Sequence, residues 1–345
     1  MRVRRYFYFM NNHSRHFFWV FLFCSMGATA QPGAGAQPGA GAQPGAGARP
    51  GAAFTVVPLG VKGGLDESNL SSYLVAAAGT GDYIALDAGT LYSGIRKAIE
   101  EGVFPPPVSA VLHNSIKAYF ISHPHLDHVA GLIINSPDDS SKNIYGLPFC
   151  LEVLQDKYFS WKSWANFGDA GEKPMLKKYH YVPMEPGKER AIDRTPLSVT
   201  AFPLSHGGPE SSTAFLVRSG DASLLYLGDT GADSVEHSGK LHLLWQVAAP
   251  LVRAGRLKAI FIEVSFPSEQ PDGSLFGHLT PRWLMTEMRD LEGLAGAGAL
   301  KGLPVVITHI KPGGNQEEVI RRELTAGNPL GLKLVFPEQG KKLEF

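Results

Sequence analysis

Beyond residue 54 the chain is built on apolar runs that end in an acid beside glycine. Ser71-Ser72-Tyr73-Leu74-Val75 passes through Gly79-Thr80-Gly81 into Tyr83-Ile84-Ala85-Leu86-Asp87-Ala88-Gly89. The pattern returns where Ser211-Ser212-Thr213-Ala214-Phe215-Leu216-Val217 turns at Ser219-Gly220-Asp221 into Leu224-Leu225-Tyr226-Leu227-Gly228-Asp229-Thr230-Gly231. Each stretch reads as strand, hairpin, strand, because β-branched and aromatic residues suit a pleated surface and glycine supplies the turn. Two related halves, each delivering an aspartate at a strand end, predict two sheets with ligands along a shared edge. Helical periodicity falls between and after them, over Tyr92 to Glu101, Leu241 to Ala254 and Pro281 to Leu291. Late strands are predicted at Ala259 to Val264, Pro304 to Thr308 and Leu332 to Val335. Strands alternating with helices, with hairpins among them, predict a layered α/β sandwich. The spacing of Phe159, Trp161, Trp164 and Phe167 is close to that of one helical face, which predicts core.

The first fifty-three residues follow other rules. Arg2, Arg4, Arg5 and Arg15 precede the apolar stretch Phe17 to Met26, and Ala28-Thr29-Ala30 follows as a small-residue cleavage pattern. Residues 1–30 therefore read as a secretory signal cut before Gln31, too short in its apolar part to span a membrane comfortably. Bulky Phe23 before Cys24 argues against lipid attachment there. Gln-Pro-Gly-Ala-Gly-Ala then runs three times over residues 31–48. Such a segment has nothing large to bury against the entropy of ordering, so residues 31–53 read as a linker and 54–345 as the folded domain. Glycine does not recur at every third position, which excludes collagen. Lys plus Arg equals Asp plus Glu at 32 each, so no global charge footprint for a nucleic acid polymer is present. Of the two cysteines, Cys150 reads as a buried small hydrophobe.

The chemistry concentrates in His123-Pro124-His125-Leu126-Asp127-His128, which follows the apolar run Ala118-Tyr119-Phe120-Ile121. Two imidazoles at i and i+2 in extended chain point the same way and can grip one ion, while the next turn aims Asp127 and His128 elsewhere. That geometry suits two metals. A carboxylate beside imidazole nitrogens suits Zn²⁺ and also admits Mn²⁺ or Fe²⁺. His180, His237 and His242 stand outside any such constellation.

The hexapeptide, the strand-end Asp87, His206 after an apolar strand, Asp229 and the late strand-end His309 occur in an order that resembles the metallo-β-lactamase fold, an αββα sandwich of two mixed sheets flanked by helices. More narrowly, Gly63-Gly64 ahead of Asn69 to Val75, His125-Leu126-Asp127-His128 followed by Gly131-Leu132, and Ser205-His206-Gly207 resemble the class II cyclic nucleotide phosphodiesterases, in their exported bacterial form. The resemblance implies that one ion takes His123, His125 and His206, the other takes Asp127, His128 and His309, and Asp229 bridges them. It implies two divalent ions, with Zn²⁺ the first candidate, a small-molecule cyclic nucleotide as substrate and a periplasmic location. Asp87 is expected to hydrogen-bond a ligand imidazole and fix its tautomer, against the alternative of a turn-forming Asp before Gly89. Ile262-Glu263-Val264-Ser265-Phe266 and Gly277-His278-Leu279-Thr280 resemble paired segments of the tRNase Z branch. That implies a substrate-facing His278 oriented by Glu263, beside the plainer reading that Thr280 caps a helix whose first turn holds Pro281. The implied reaction opens 3′,5′-cyclic AMP, with cyclic GMP as the second candidate, to the 5′-monophosphate by attack of a metal-activated hydroxide. The alternatives are a thioester, lactone or sulfate-ester hydrolase on the same scaffold, and a non-catalytic metal- or nucleotide-binding protein.

Overall fold

The computed structural model describes residues 51–208 and 212–345. The expected signal at residues 1–30, the expected linker as far as residue 50, and Ser211 lie outside the described residues. Two seven-stranded sheets form the centre. The first contains β1 (Phe54–Gly60), β2 (Ser72–Ala77), β3 (Tyr83–Leu86), β4 (Ile116–Phe120), β5 (Lys142–Gly146), β6 (Tyr179–Pro183) and β14 (Leu343–Glu344), ordered β14-β1-β2-β3-β4-β5-β6. The second contains β7 (Glu189–Ala191), β8 (Leu197–Leu204), β9 (Ser212–Ser219), β10 (Ala222–Leu227), β11 (Leu257–Glu263), β12 (Pro304–Thr308) and β13 (Lys333–Val335), ordered β13-β12-β11-β10-β9-β8-β7.

The two predicted hairpins are present as β2–β3, with Tyr73 opposite Leu86, and β9–β10, with Val217 opposite Leu224. After each hairpin the pairing turns parallel, through β3-β4-β5-β6 in one sheet and β10-β11-β12-β13 in the other. Parallel strands covered on both faces read as continuous apolar runs, as in Leu224-Leu225-Tyr226-Leu227 and Ile260-Phe261-Ile262.

Three apolar layers result. Between the sheets Tyr73, Phe120, Phe215, Tyr226 and Phe261 are buried, with Phe120 stacked on Tyr145 at 4.7 Å between ring centroids. Outside the first sheet, helices Tyr92–Glu100 and Leu126–Asn135 bury Ile95, Ala98, Val129 and Leu132. Outside the second, helices Lys240–Arg253, Pro281–Ala295 and Gln316–Ala326 bury Trp245, Leu284, Met288, Ile320 and Leu324. This is an αββα sandwich, and Cys150 is buried within its first outer layer.

The aromatic segment departs from expectation. Residues 159–178 form bends and loop rather than a helix; Phe159 is buried, while Trp161 and Trp164 are 41% and 37% exposed. The indole N–H groups find acceptors in this irregular arrangement, Trp161 at the exposed Pro174 carbonyl and Trp164 at Oγ of the buried Ser136, with both rings left partly in solvent. Among the described residues no helix is long and apolar enough to cross a membrane.

Two helical glycines give opposite expectations. A Cβ on Gly94 would lie 2.2 Å from the Leu59 carbonyl oxygen of β1, whereas one on Gly293 meets nothing within 4 Å. Alanine is favoured in a helix by about 1 kcal/mol over glycine, but forcing atoms into packed space costs about 1–3 kcal/mol. Gly293→Ala should raise the thermal unfolding midpoint and Gly94→Ala should lower it, as followed by circular dichroism; a rise for both would show that the first helix can lift off its sheet.

Candidate metal centre

Many of the buried polar residues among those described gather where strands end. Asp87 follows β3, Ser122 and His123 follow β4, His206 follows β8, Asp229 follows β10, Glu263 closes β11 and His309 follows β12. His125 precedes the helix Leu126–Asn135, whose first turn presents Asp127 and His128. Strand ends suit this task because the ladder fixes the backbone up to the last pair and then releases it to turn a side chain into the cleft. Asp87 and His309 make that turn in the left-handed region, at φ 57° and 59°, a conformation that costs a non-glycine residue of order 1 kcal/mol or more.

Within the cleft, ligand-type atoms of His123, His125 and His206 converge, as do those of Asp127, His128 and His309, and those of His123, His128 and Asp229. His125 Nδ1 is 3.0 Å from His123 Nε2 and 3.4 Å from His206 Nε2. His309 Nε2 is 3.1 Å from Asp127 Oδ2 and 3.2 Å from Asp229 Oδ2. The remaining Asp229 oxygen, Oδ1, lies 3.3 Å from His128 Nε2, while Oδ2 lies 3.8 and 3.9 Å from His123 and His206. Asp229 thus touches both sets.

Behind these atoms stands a ring of groups that fixes each imidazole. The buried Asp87 carboxylate accepts from His128 Nδ1 at 2.8 Å, the Ser122 amide at 2.7 Å, Ser122 Oγ at 2.8 Å and the Tyr226 hydroxyl at 2.6 Å. His206 Nδ1 donates to the Gly277 carbonyl at 2.8 Å. Glu263 accepts from His278 Nδ1 at 2.7 Å, Ser265 Oγ at 2.6 Å and the Thr230 amide at 3.0 Å. Two serines extend this ring: His123 Nδ1 meets Ser122 Oγ, and His309 Nδ1 meets Ser265 Oγ, each at 3.0 Å. Each carboxylate therefore holds one histidine directly and a second through a serine. Donating Nδ1–H outward leaves Nε2 with its lone pair directed inward on His123, His128, His206 and His309.

Gly63 and Gly64 complete the floor. A Cβ on Gly63 would sit 2.3 Å from the His309 ring, so only glycine leaves the imidazole its place. Gly64, at φ 56°, donates its amide to Asp127 Oδ2 at 2.8 Å.

The electrostatics follow from burial and proximity. Burial, reinforced by neighbouring imidazoles, pushes the pKa values of His123, His125 and His206 down, leaving neutral rings. Burial opposes ionisation of Asp229 and Asp127 as well, but the surrounding histidines outweigh it and hold both carboxyls well below the usual range. Burial also works against the cationic forms of His128 and His278, yet Asp229 and Asp87 raise the first, and Glu263 raises the second. Neutral imidazoles beside ionised carboxylates are the donor set of a divalent cation. His128 Nε2 is buried with no hydrogen-bond partner, and three imidazoles press nitrogen against nitrogen; convergent lone pairs of this kind fit bound cations.

All ten residues singled out in the sequence lie in this one cleft. His180, His237 and His242 lie outside it: His180 pairs with Asp169 and His242 with Asp290. Ser122, Ser265, Tyr226 and the Gly277 carbonyl were missed. Ser122 adjoins the hexapeptide and carried a signal; Tyr226 looks like any aromatic strand residue and carried none. Thr280 occupies the N-cap position of helix Pro281–Ala295, but its buried hydroxyl makes no capping hydrogen bond, which corrects the capping expectation. Pro281 at the first helical position supplies the start instead: its φ is preset and it has no amide to satisfy.

Comparison with known proteins places these features. The family model of the class II cAMP phosphodiesterases matches residues 107–340. A 3′,5′-cyclic-nucleotide phosphodiesterase of Aliivibrio fischeri is 44% identical over 308 residues, covering 85% of this chain and 93% of the relative. The structure of unliganded yeast PDE1 is 23% identical with a TM-score of 0.77, covering 85% of this chain and all of that one. A metallo-β-lactamase fold protein, YhfI of Bacillus subtilis, is 18% identical with a TM-score of 0.57 over 85% of this chain and 99% of its own. The two structures speak to fold alone.

The serine bridges should be separable by metal affinity. Ser265→Ala should weaken the ion associated with His309 by about 10–100-fold, the usual effect of losing an outer partner of a ligating histidine, and Ser122→Ala should do the same to the ion associated with His123. Chelator competition on the metal-loaded protein reads both. Equal weakening of both ions by either variant would refute the assignment of one serine to each.

Proposed function

The chain belongs to the class II cAMP phosphodiesterases, and from that membership we propose that it is a metal-dependent phosphodiesterase opening 3′,5′-cyclic AMP, with cyclic GMP as second substrate, to the 5′-monophosphate. The convergence of His123, His125, Asp127, His128, His206, Asp229 and His309 in one cleft carries this reading. His123, His125 and His206 would hold one ion, Asp127, His128 and His309 the other, and Asp229 reaches toward both. Zn²⁺ is the proposed metal, since imidazole nitrogens supply five of these seven donors. Two such ions would lower the pKa of a water held in the cleft toward neutrality and would offset charge on the phosphoryl oxygens.

The chain's own residues do the remainder. Asp87 fixes the tautomer of His128 and, through Ser122, that of His123. Glu263 fixes His278 and favours its protonated form, so His278 Nε2 is the edge left to meet substrate. The 3′ oxygen leaves as a poor alkoxide unless it gains a proton, and His278 is placed to give one. Upstream of the domain, residues 1–30 are proposed to export the protein to the periplasm and residues 31–53 to act as a tether.

Two outcomes follow. Anomalous scattering from metal-loaded crystals should show two peaks about 3.5–4 Å apart, the usual separation in two-metal hydrolytic sites. A single peak at full loading would overturn the binuclear reading. His278→Ala should retain both ions while slowing cyclic AMP hydrolysis by roughly 10²-fold, within the range of a lost general acid. A p-nitrophenyl phosphodiester, whose leaving group needs little protonation, should lose much less. Equal losses on both substrates would assign His278 to phosphate binding, and loss of an ion would make it a ligand.

A further inference from the structure

We propose that a second, basic cavity at the other end of the first sheet binds a small phosphate-bearing anion. The metal centre lies beyond the C-terminal ends of β3 and β4; this cavity, of about 260 Å³, opens at the N-terminal ends of β4, β5 and β6 and at the turn between β7 and β8. It shares no residue with the metal centre, so the inference is independent of the phosphodiesterase reading.

Five cations line it, Lys117, Lys142, Lys177, Lys178 and Arg194, against one carboxylate, Asp193. Two of the five are matched from behind: Lys117 pairs with Asp82 at 2.9 Å, and Lys142 pairs with buried Asp139. Lys178 Nζ donates to the Ser136 and Pro137 carbonyls and lies over the Phe167 ring, contacts that pin it without neutralising it. Lys177 and Arg194 have no ion-pair partner among the described residues, and Arg194 spends one donor on the Lys117 carbonyl. Burial depresses the pKa of Lys142, and Arg194 and Lys178 add to that depression against the pull of Asp139, which shows that their positive fields overlap there. On the cavity floor Asn143 donates to the Tyr145 hydroxyl, leaving its amide oxygen and second N–H to read a ligand.

A second observation points the same way. Lys177 and Arg194 both stand in the left-handed region, at φ 55° and 62°, where glycine would be comfortable. Asp87 and His309, which share that conformation, present side chains to the metal centre. Leu65, Trp161, His237 and Phe276 share the conformation elsewhere; what sets Lys177 and Arg194 apart is that both carry unpaired charge on the lining of one cavity. The volume suits a phosphate monoester rather than a polymer, and clustered Lys and Arg favour its multiple oxygens.

The test uses ¹⁵N-labelled, metal-loaded enzyme titrated with inorganic phosphate, and separately with AMP, at constant ionic strength. Saturable shifts are expected in the amides of residues 141–145, 177–180 and 192–194, as a set distinct from any at the metal centre. Tighter binding of AMP would make the ligand a nucleoside monophosphate, and equal binding would make it free phosphate. Lys177→Gly with Arg194→Gly, which removes both charges and suits the backbone, should weaken these shifts roughly tenfold or more without lowering the unfolding midpoint or cyclic AMP turnover. Shifts confined to the metal centre, equal shifts with chloride, or unchanged affinity in the double variant would overturn the proposal.

Discussion

The whole site hangs on one buried carboxylate. Asp87 is fully shielded from water, and an ionised group in that position is tenable only if nearly every lone pair is met. It is met by four donors drawn from three elements: the Ser122 amide and hydroxyl after β4, His128 on its helix, and Tyr226 on β10 of the opposite sheet. The same four bonds set the angle of β4's exit, choose the tautomer of His128 and pin one sheet to the other. Any change that leaves one of these donors or the carboxylate unpaired pays a desolvation cost of about 1–3 kcal/mol and tilts a ligand at the same time.

Glu263 repeats the arrangement from the second sheet. It too is buried, holds one histidine directly, His278, and reaches another, His309, through a serine. The two carboxylates do not stand at equivalent strand ends, since Asp87 follows the second strand of its hairpin and Glu263 closes the first parallel strand after the other hairpin; what the sheets share is that both present polar groups at strand ends. One difference matters for chemistry. His128, held by Asp87, falls in two groups of ligand atoms, one with His123 and Asp229 and one with Asp127 and His309, whereas His278 groups with His206, Asp229 and Glu263. Two sheets of like plan thereby yield an asymmetric site, with His128 among the candidate metal ligands beside Asp87 and His278 held beside Glu263.

The sequence revealed the parts that local chemistry dictates. Two hairpins were legible because strand composition and glycine turns agree, and the hexapeptide was legible because four ligand types crowd six positions. Asp87 could be given a supporting role from its place at a strand end. Other contacts could not be read. Tyr226 bonds a residue 139 positions earlier in the chain, and nothing near it in sequence distinguishes its hydroxyl from that of Tyr73, which is buried without a partner. The segment around Trp161 and Trp164 failed for a different reason: apolar spacing alone suggested a helical face, while the chain runs irregularly and each indole N–H is satisfied by a distant acceptor, the Pro174 carbonyl or Ser136 Oγ. Pattern predicts burial well where side chains have no donors to satisfy, and poorly where they do.

The cleft also couples ligand binding to the integrity of the sandwich. Asp229 follows β10 and His309 follows β12, while His123 follows β4 of the first sheet and Asp127 and His128 stand on the helix after it, so a cation held among them would tie the two halves together as Tyr226 and Asp87 do. A cation that binds the folded chain and not the unfolded one shifts the folding equilibrium by mass action, in proportion to the logarithm of its concentration over its dissociation constant. Protons compete for the same lone pairs, most directly at His128 Nε2, whose protonated form Asp229 and Asp87 favour. Acid therefore acts against cation binding at these lone pairs, while the Tyr226–Asp87 bond ties the two sheets whether or not a cation is held.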